Sequence, residues 1–254
     1  MNSIKKIGLF TSICMLALFV ISGCGKGETK IQTWHDEKQS ILKEEYFVTR
    51  KEPEIREGVY KQFYPTGKLL EEKSYANGNL EGKHIIYAED GSKKEEADYI
   101  SNKMNGVRFL YYPNGKAEIE ETYVIGEFEG PYKNYFESGT LKQEGQYVKG
   151  AMGGLWKFYF ESGRVKEEVE YKDNVENGVY KAFYENGQAE SEGAWKNGQK
   201  EGAWKYYYDD GTLMSEGKYE NGYEKAYEKR YSNDGKPTQE VFYKNGMPEK
   251  VVNL

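Results

Sequence analysis

From residue 58 onward the chain alternates aromatic and β-branched residues with polar ones, in runs of about six to eight residues. A period of two predicts half-buried strands, and nothing in 58–249 carries the 3.6-residue period of a long amphipathic helix. Two kinds of turn signal cut the runs. In "YPNGK" and "YENGQ" a small polar residue precedes Gly, which supplies the positive φ of a tight hairpin. A second Gly or Asn, as at Gly78, Asn102 and Gly126, then returns the chain. Each unit predicts one β-hairpin.

The pattern repeats every 24 residues. Gly stands at 58, 82, 106, 130, 154, 178 and 202, and Ala226 takes the next position. With that residue counted as place zero, place nine is always Gly, from Gly67 to Gly235. Place five is always aromatic, from Phe63 to Tyr231, and place fourteen is always Glu, from Glu72 to Glu240. Place seventeen is aromatic from Tyr75 to Tyr243, with Trp195 in the sixth unit. Eight units therefore fill residues 58–249. The two copies of "EGAWK" beginning at Glu192 and Glu201 are not a shorter repeat; they flank the Asn197-Gly198 turn and are predicted to run antiparallel.

Register is open at this level. A two-residue turn would set Lys61 opposite Glu72 and gather the aromatics of places two, six and seventeen on one face. Pro65 and Pro113 instead favour a type I turn followed by a Gly bulge, which shifts the pairing by one. Turn chemistry leans to the bulge. Sixteen strands exceed the roughly ten at which open sheets curl or split. At roughly 4.8 Å per strand they extend on the order of 75 Å. The expected fold is all-β: an elongated, solenoid-like meander of eight hairpins with stacked aromatics along its core. Residues 24–33 read as a tether, 34–57 as a degenerate N-terminal cap with Trp34 and "KEEYFV", and 250–254 as a C-terminal tail. The eighth unit is atypical, with Ser232 where most units have an aromatic and Pro237 within a strand.

Residues 1–23 differ in kind. Lys5 and Lys6 precede a mostly apolar run from Ile7 to Val20, too short for a span of roughly 20 residues, and Ile21-Ser22-Gly23-Cys24 follows. This resembles the lipobox of bacterial lipoproteins. The resemblance implies a signal peptide helix cleaved between Gly23 and Cys24, and a diacylglycerol on the Cys24 thiol. Acyl chains in that number hold a protein stably at a bilayer. The expected location is outside the cytoplasmic membrane, or on the outer membrane, on the periplasmic or cell-surface side.

Composition adds constraints. The 254 residues include 24 Tyr, 11 Phe and 29 Gly, and the net charge is −6. Loss of the leader removes two lysines and no acid, so the remainder is more acidic still. An acidic chain with no basic cluster argues against nucleic-acid binding and against electrostatic docking on anionic lipid. Both cysteines, Cys14 and Cys24, fall in the first 24 residues, which leaves no disulfide framework and no thiol pair for zinc.

The columns resemble MORN repeats, whose core is Glu-Gly-x-aromatic-x-x-Gly-x-x-x-Gly. It stands here as Glu144-Gly145-Gln146-Tyr147 with Gly150 and Gly154, as Glu192-Gly193-Ala194-Trp195 with Gly198 and Gly202, and as Glu216-Gly217-Lys218-Tyr219 with Gly222. Lys73, Ala97, Glu121, Val169 and Val241 replace the second Gly elsewhere, as in the bacterial variant of the repeat. Bacterial relatives are often lipoproteins, and some are labelled antitoxins; eukaryotic relatives are mostly scaffolds, some of them membrane-associated. The resemblance implies a protein-binding scaffold, with toxin neutralisation as an alternative.

Candidate chemistry is sparse. The Glu column could suggest acid–base catalysis or calcium, but equivalent strands lie roughly 10 Å apart, whereas paired glycosidase carboxylates need about 5 to 9.5 Å. Partnership with Lys or with turn amides is the expected role. His84 takes a place where other units carry Tyr or Trp, and His35 lies in the cap. No cofactor or metal motif and no nucleophile elbow is present, so no catalysis is expected. The aromatic columns read first as core. Tyr206, Tyr207 and Tyr208 are consecutive, so at least one ring points outward, and carbohydrate or peptidoglycan binding is a further alternative.

Overall fold

The computed structural model describes residues 27–49, 54–244 and 246–254, excepting the side chains of 224–226. The expected leader helix, with Gly23 and Cys24, lies outside them. Every described element is a strand of one antiparallel sheet. Strands β1 (Glu28–Trp34) and β2 (Leu42–Thr49) form a leading hairpin. The eight repeat hairpins follow, beginning with β3 (Arg56–Phe63) and β4 (Leu69–Ala76), then β5 (Asn79–Tyr87) and β6 (Lys93–Ile100). The third is β7 (Lys103–Met104) and β8 (Gly106–Tyr111), one strand interrupted at Asn105, with β9 (Ala117–Val124). The fourth is β10 (Glu127–Tyr135) and β11 (Leu141–Val148), and the fifth β12 (Ala151–Tyr159) and β13 (Val165–Lys172). Next come β14 (Val175–Phe183) with β15 (Ala189–Lys196), β16 (Gln199–Tyr207) with β17 (Leu213–Glu220), and β18 (Tyr223–Tyr231) with β19 (Pro237–Lys244). Strand β20 (Met247–Asn253) closes the series. Substantial packing runs only between sequence neighbours.

Both termini differ from expectation. Residues 28–33, expected as tether, lie in β1, because Thr29, Ile31 and Thr33 alternate inward against β2. The cap hairpin therefore starts before Trp34. The expected tail at 250–254 is largely β20, whose Val251 and Val252 pair with Val241 and Glu240 and cover the β19 edge.

The turn signals separate the two long edges of the sheet. At one edge Gly67 N–H donates to the Tyr64 carbonyl at 2.8 Å while Tyr64 N–H donates to the Lys68 carbonyl at 2.8 Å. This is the Gly-bulge turn, and it recurs through Ser232, Gly235 and Lys236 in the eighth hairpin. At the other edge Asn77 and Gly78 both have positive φ, 51° and 79°, as a two-residue type I′ turn requires. These turns stack along the array: Gly78 N–H donates to the Arg56 carbonyl at 3.0 Å and Gly198 N–H to the Glu176 carbonyl at 2.9 Å.

The register contains both expected features at once. The Gly-bulge turn is present, yet Lys61 faces Glu72. A second bulge reconciles them: Phe63 pairs with Leu69 and Gln62 with Glu71, so Leu70 is extra and the shift is undone. Every repeat hairpin has this compensation. A wider bulge lies between hairpins. Lys73 pairs with His84 and Tyr75 with Leu80, so Ser74 alone faces residues 81–83. Gly82 sits at its centre with φ 82°, a conformation that explains the place-zero Gly.

Places two and seventeen share the inner face, the arrangement tied above to the unshifted register, and build the core. Trp156 and Trp204 are 0% and 1% exposed. Tyr147 meets Trp156 edge-on at 5.3 Å, and Trp195 meets Trp204 edge-on at 5.4 Å. Such pairs add about 0.5–1.5 kcal/mol beyond burial. Each indole lies flat over a glycine of the preceding unit. A Cβ on Gly145 would stand 2.2 Å from Trp156 Cδ2, and one on Gly193 2.3 Å from Trp204 Cδ2. Glycine at place fifteen thus makes room for tryptophan at place two of the next unit. Gly145→Ala is expected to cost about 1–3 kcal/mol by overpacking, and Trp156→Leu in the same chain to recover part of it, measured by denaturant unfolding.

Candidate functional site

The Glu column lies on the outer face, where places three, five and fourteen converge. Lys61 reaches Glu72 at 3.2 Å and Lys157 reaches Glu168 at 3.0 Å. Hydroxyls from place five of the following unit donate to the same carboxylates: Tyr159 to Glu144 at 2.6 Å, Tyr207 to Glu192 at 2.7 Å and Tyr231 to Glu216 at 2.8 Å. Burial and the adjacent carboxylate push the Tyr207 and Tyr231 hydroxyls up to about 12. The Lys partnership matches the expectation; the tyrosines are an addition. The turn amides go to other carboxylates. Asn77 N–H donates to Glu57 at 2.8 Å and Lys149 N–H to Glu129 at 2.7 Å.

The inner face changes character along its length. His84 occupies an aromatic place against Tyr99, ring centroids 5.9 Å apart, and bonds Glu71 at 2.9 Å. Lys73 donates to the same carboxylate at 2.7 Å. The His84 bond, followed by Lys73, holds Glu71 down at about 2 against the opposing effect of burial. In the next unit Arg108 bridges Glu95 at 2.8 Å and Glu121 at 2.6 Å, and Glu121 is buried. Further along, the rings return. Lys200 Nζ lies 4.3 Å from the Trp204 ring centroid and about 5 Å from those of Tyr206 and Tyr219. Arg56, at the equivalent place, is held among Tyr46, Tyr60 and Tyr75. These ring faces are occupied by the chain's own cations.

The Tyr206–Tyr208 run distributes over both faces. Tyr206 stacks on Trp204 at 6.1 Å inside, Tyr207 points outward to Glu192, and Tyr208 donates to the Tyr231 carbonyl at 3.0 Å. All three are partly buried. His35 Nε2 lies 3.0 Å from the Phe63 carbonyl, a structural contact at the cap. No cluster of three metal-ligating side chains occurs among the described residues. What remains open is the outer face itself. A shallow hollow of about 400 Å³ lies between Pro131, Lys133, Glu144, Gln146, Leu155 and Lys157, floored by Gly145, Gly153 and Gly154. From there, place one carries Leu155, Val179, Ala203 and Tyr227 in consecutive units, all exposed, and Phe242 faces Tyr227.

The pattern of the MORN repeat variant matches residues 56–77, 104–124, 128–149, 152–173, 176–197, 200–221 and 226–245. The chain belongs to the MORN repeat variant family. The MORN pattern passes over the second unit, where His84 and Lys83 stand in the first strand and Ala97 replaces the second Gly. No curated protein matches the chain. Among solved structures, a chain of the "Crystal Structure of TcdB2-TccC3-Cdc42" aligns with 86% of this chain at 10% identity and a TM-score of 0.17. The alignment spans 13% of that chain, and at this level the likeness carries no argument. MORN repeats form a repeat-protein fold that is typically non-catalytic.

Because the folded Glu71 carboxyl sits well below its ordinary 4.5, its contribution is full above that value and is lost as pH falls toward about 2. Glu71→Gln is expected to lower stability by on the order of 1–3 kcal/mol at pH 7. The difference from the parent should shrink below pH 4, as read by denaturant titrations across pH.

Proposed function

We propose that this MORN protein is a non-catalytic, lipid-anchored scaffold of the bacterial cell envelope that binds another protein along the outer face of its sheet. The observation carrying the reading is the row of Leu155, Val179, Ala203 and Tyr227 with Phe242, exposed over four consecutive units on the face opposite the aromatic core. The interior of a regular sheet needs no such residues, and exposed apolar side chains set among charges such as Glu170 and Lys218 on the intervening strands are what a protein partner would cover. Several features support a non-catalytic role. The place-fourteen carboxylates sit in near-equivalent surroundings, each tied to Tyr or Lys, whereas acid–base chemistry needs groups in unequal environments. Packed or cation-filled inner rings favour a protein partner over a stacked sugar.

A photo-crosslinking residue in place of Val179, activated in intact envelopes, is expected to capture one reproducible protein. Leu155→Asp with Tyr227→Asp is expected to abolish the capture while leaving the melting temperature near that of the parent. A crosslinked glycan, or no reproducible product, would refute the scaffold reading. Anchoring has its own test: Cys24→Ala should move the protein from the membrane pellet to the soluble fraction, and mass spectrometry of the parent should find diacylglycerol on the Cys24 peptide.

A further inference from the structure

The two long edges of the sheet are chemically unlike. Ile100, Val124, Ile125 and Val148 all lie at the type I′ turns of consecutive units and are 46–54% exposed. Val175, Tyr223 and Met247 continue the series on the same edge. Among the described residues, the Gly-bulge turns of the opposite edge expose no large apolar side chain. Charge is mixed on both edges. Lys103, Lys149, Lys172 and Lys196 flank the apolar tips beside Glu127, Asp173, Glu176 and Glu220, while Glu89, Asp90, Glu137, Glu161, Glu185 and Asp209 mark the far turns beside Lys68, Lys116, Arg164 and Lys236.

Ile125 is the sharpest feature of the series. It is the first residue of its turn, with φ 52°, a left-handed conformation that strongly disfavours a β-branched side chain. Asn77, Asn197 and Asn221 hold the equivalent position at 51° to 52° without that conflict. Its N–H is satisfied by Asn105 Oδ1 at 3.1 Å, so the backbone is supported while the apolar side chain projects into solvent, 54% exposed. A strained β-branched residue left more than half exposed points to a contact outside the chain.

Strand polarity says what that contact is. Glu28, the first residue of β1, pairs with Thr49 at the end of β2. Val48 pairs with Arg56, whose carbonyl accepts from the Gly78 turn. The chain thus enters the sheet on the type I′ edge. Cys24 precedes Glu28 by four residues, a reach of at most about 14 Å. We infer that the type I′ turn edge lies against the lipid bilayer, with Ile100, Val124, Ile125 and Val148 dipping into its interfacial region and the flanking lysines reaching the phosphates. This rests on the anchoring reading above and adds the orientation of the molecule. The sheet stands on its turn edge, and its outer face is left free for a partner.

The full-length, lipidated protein, reconstituted in phosphatidylethanolamine–phosphatidylglycerol vesicles, tests this. An environment-sensitive label on Ile125→Cys should shift to the blue and be quenched several-fold by lipids carrying shallow nitroxides. The same label on Glu185→Cys, at the far edge, should behave as in water. Ile125→Asn should raise the melting temperature, by relieving strain, and should reduce quenching of a label on the adjacent Val148→Cys. Equal aqueous spectra at positions 125 and 185, or a photo-crosslinker at 125 that captures protein rather than lipid in intact envelopes, would overturn the orientation. Mass spectrometry separates the two failures. Absence of diacylglycerol on Cys24 sinks the anchoring reading, whereas its presence beside an aqueous label at 125 sinks the orientation alone.

Discussion

An indole ring lying over a glycine is the contact on which this array depends. The described chain has no helix and no second sheet to press against its inner face, so apolar burial has to be made within that face, by side chains wide enough to reach neighbours in the same row. Trp156 over Gly145 and Trp204 over Gly193 do this with almost no ring surface left in water. A β-carbon beneath either ring would occupy the ring's own space. Where place fifteen carries Lys73, Ala97 or Glu121, the facing residue is His84, Arg108 or Tyr132, and the first two of these pairs rely on ion pairs instead. The array therefore has a polar stretch near its start and an aromatic stretch beyond it.

The second requirement is that many strands be joined without accumulating register error. Each repeat introduces one bulge at its turn and cancels it with another at place twelve, then adds a wide bulge at place zero before the next hairpin. Bulges increase local twist and bend the strand that carries them. Strictly repeated bulges give a uniform path, so that the Glu, Lys and Tyr columns stay aligned and can bond from unit to unit. The same regularity places each turn over the one before, and turn amides find partners in the preceding unit rather than in solvent.

Much of this was legible in the residues. The 24-residue step and the hairpin in each step follow from spacing and alternation, because strand periodicity and turn chemistry are local. The Glu column was readable as a partner for Lys. Its tyrosine partners were not, because they come from the next unit and depend on the register between hairpins. The Gly-bulge turn toward which the turn chemistry leans is present, but the shifted pairing that would follow from it is not: the compensating bulge at Leu70 has no residue signature of its own. β1 and β20 lack the repeat's glycines and so carry no repeat signal, although Thr29, Ile31 and Thr33 do alternate as a strand should. The apolar tips could be read as residues, but nothing local told that they share one edge.

Sequence alone determined what each unit is: a hairpin closed by Gly, with aromatic and carboxylate columns at set places. Those properties arise from φ preferences and side-chain alternation within a few residues. Tertiary structure decided how the units meet: which carboxylate serves a turn amide and which a tyrosine, which rings are filled by Arg56 and Lys200, and which edge the chain enters. These depend on distances between residues 15 to 24 apart, and such distances exist only once the bulges have set the path of the sheet.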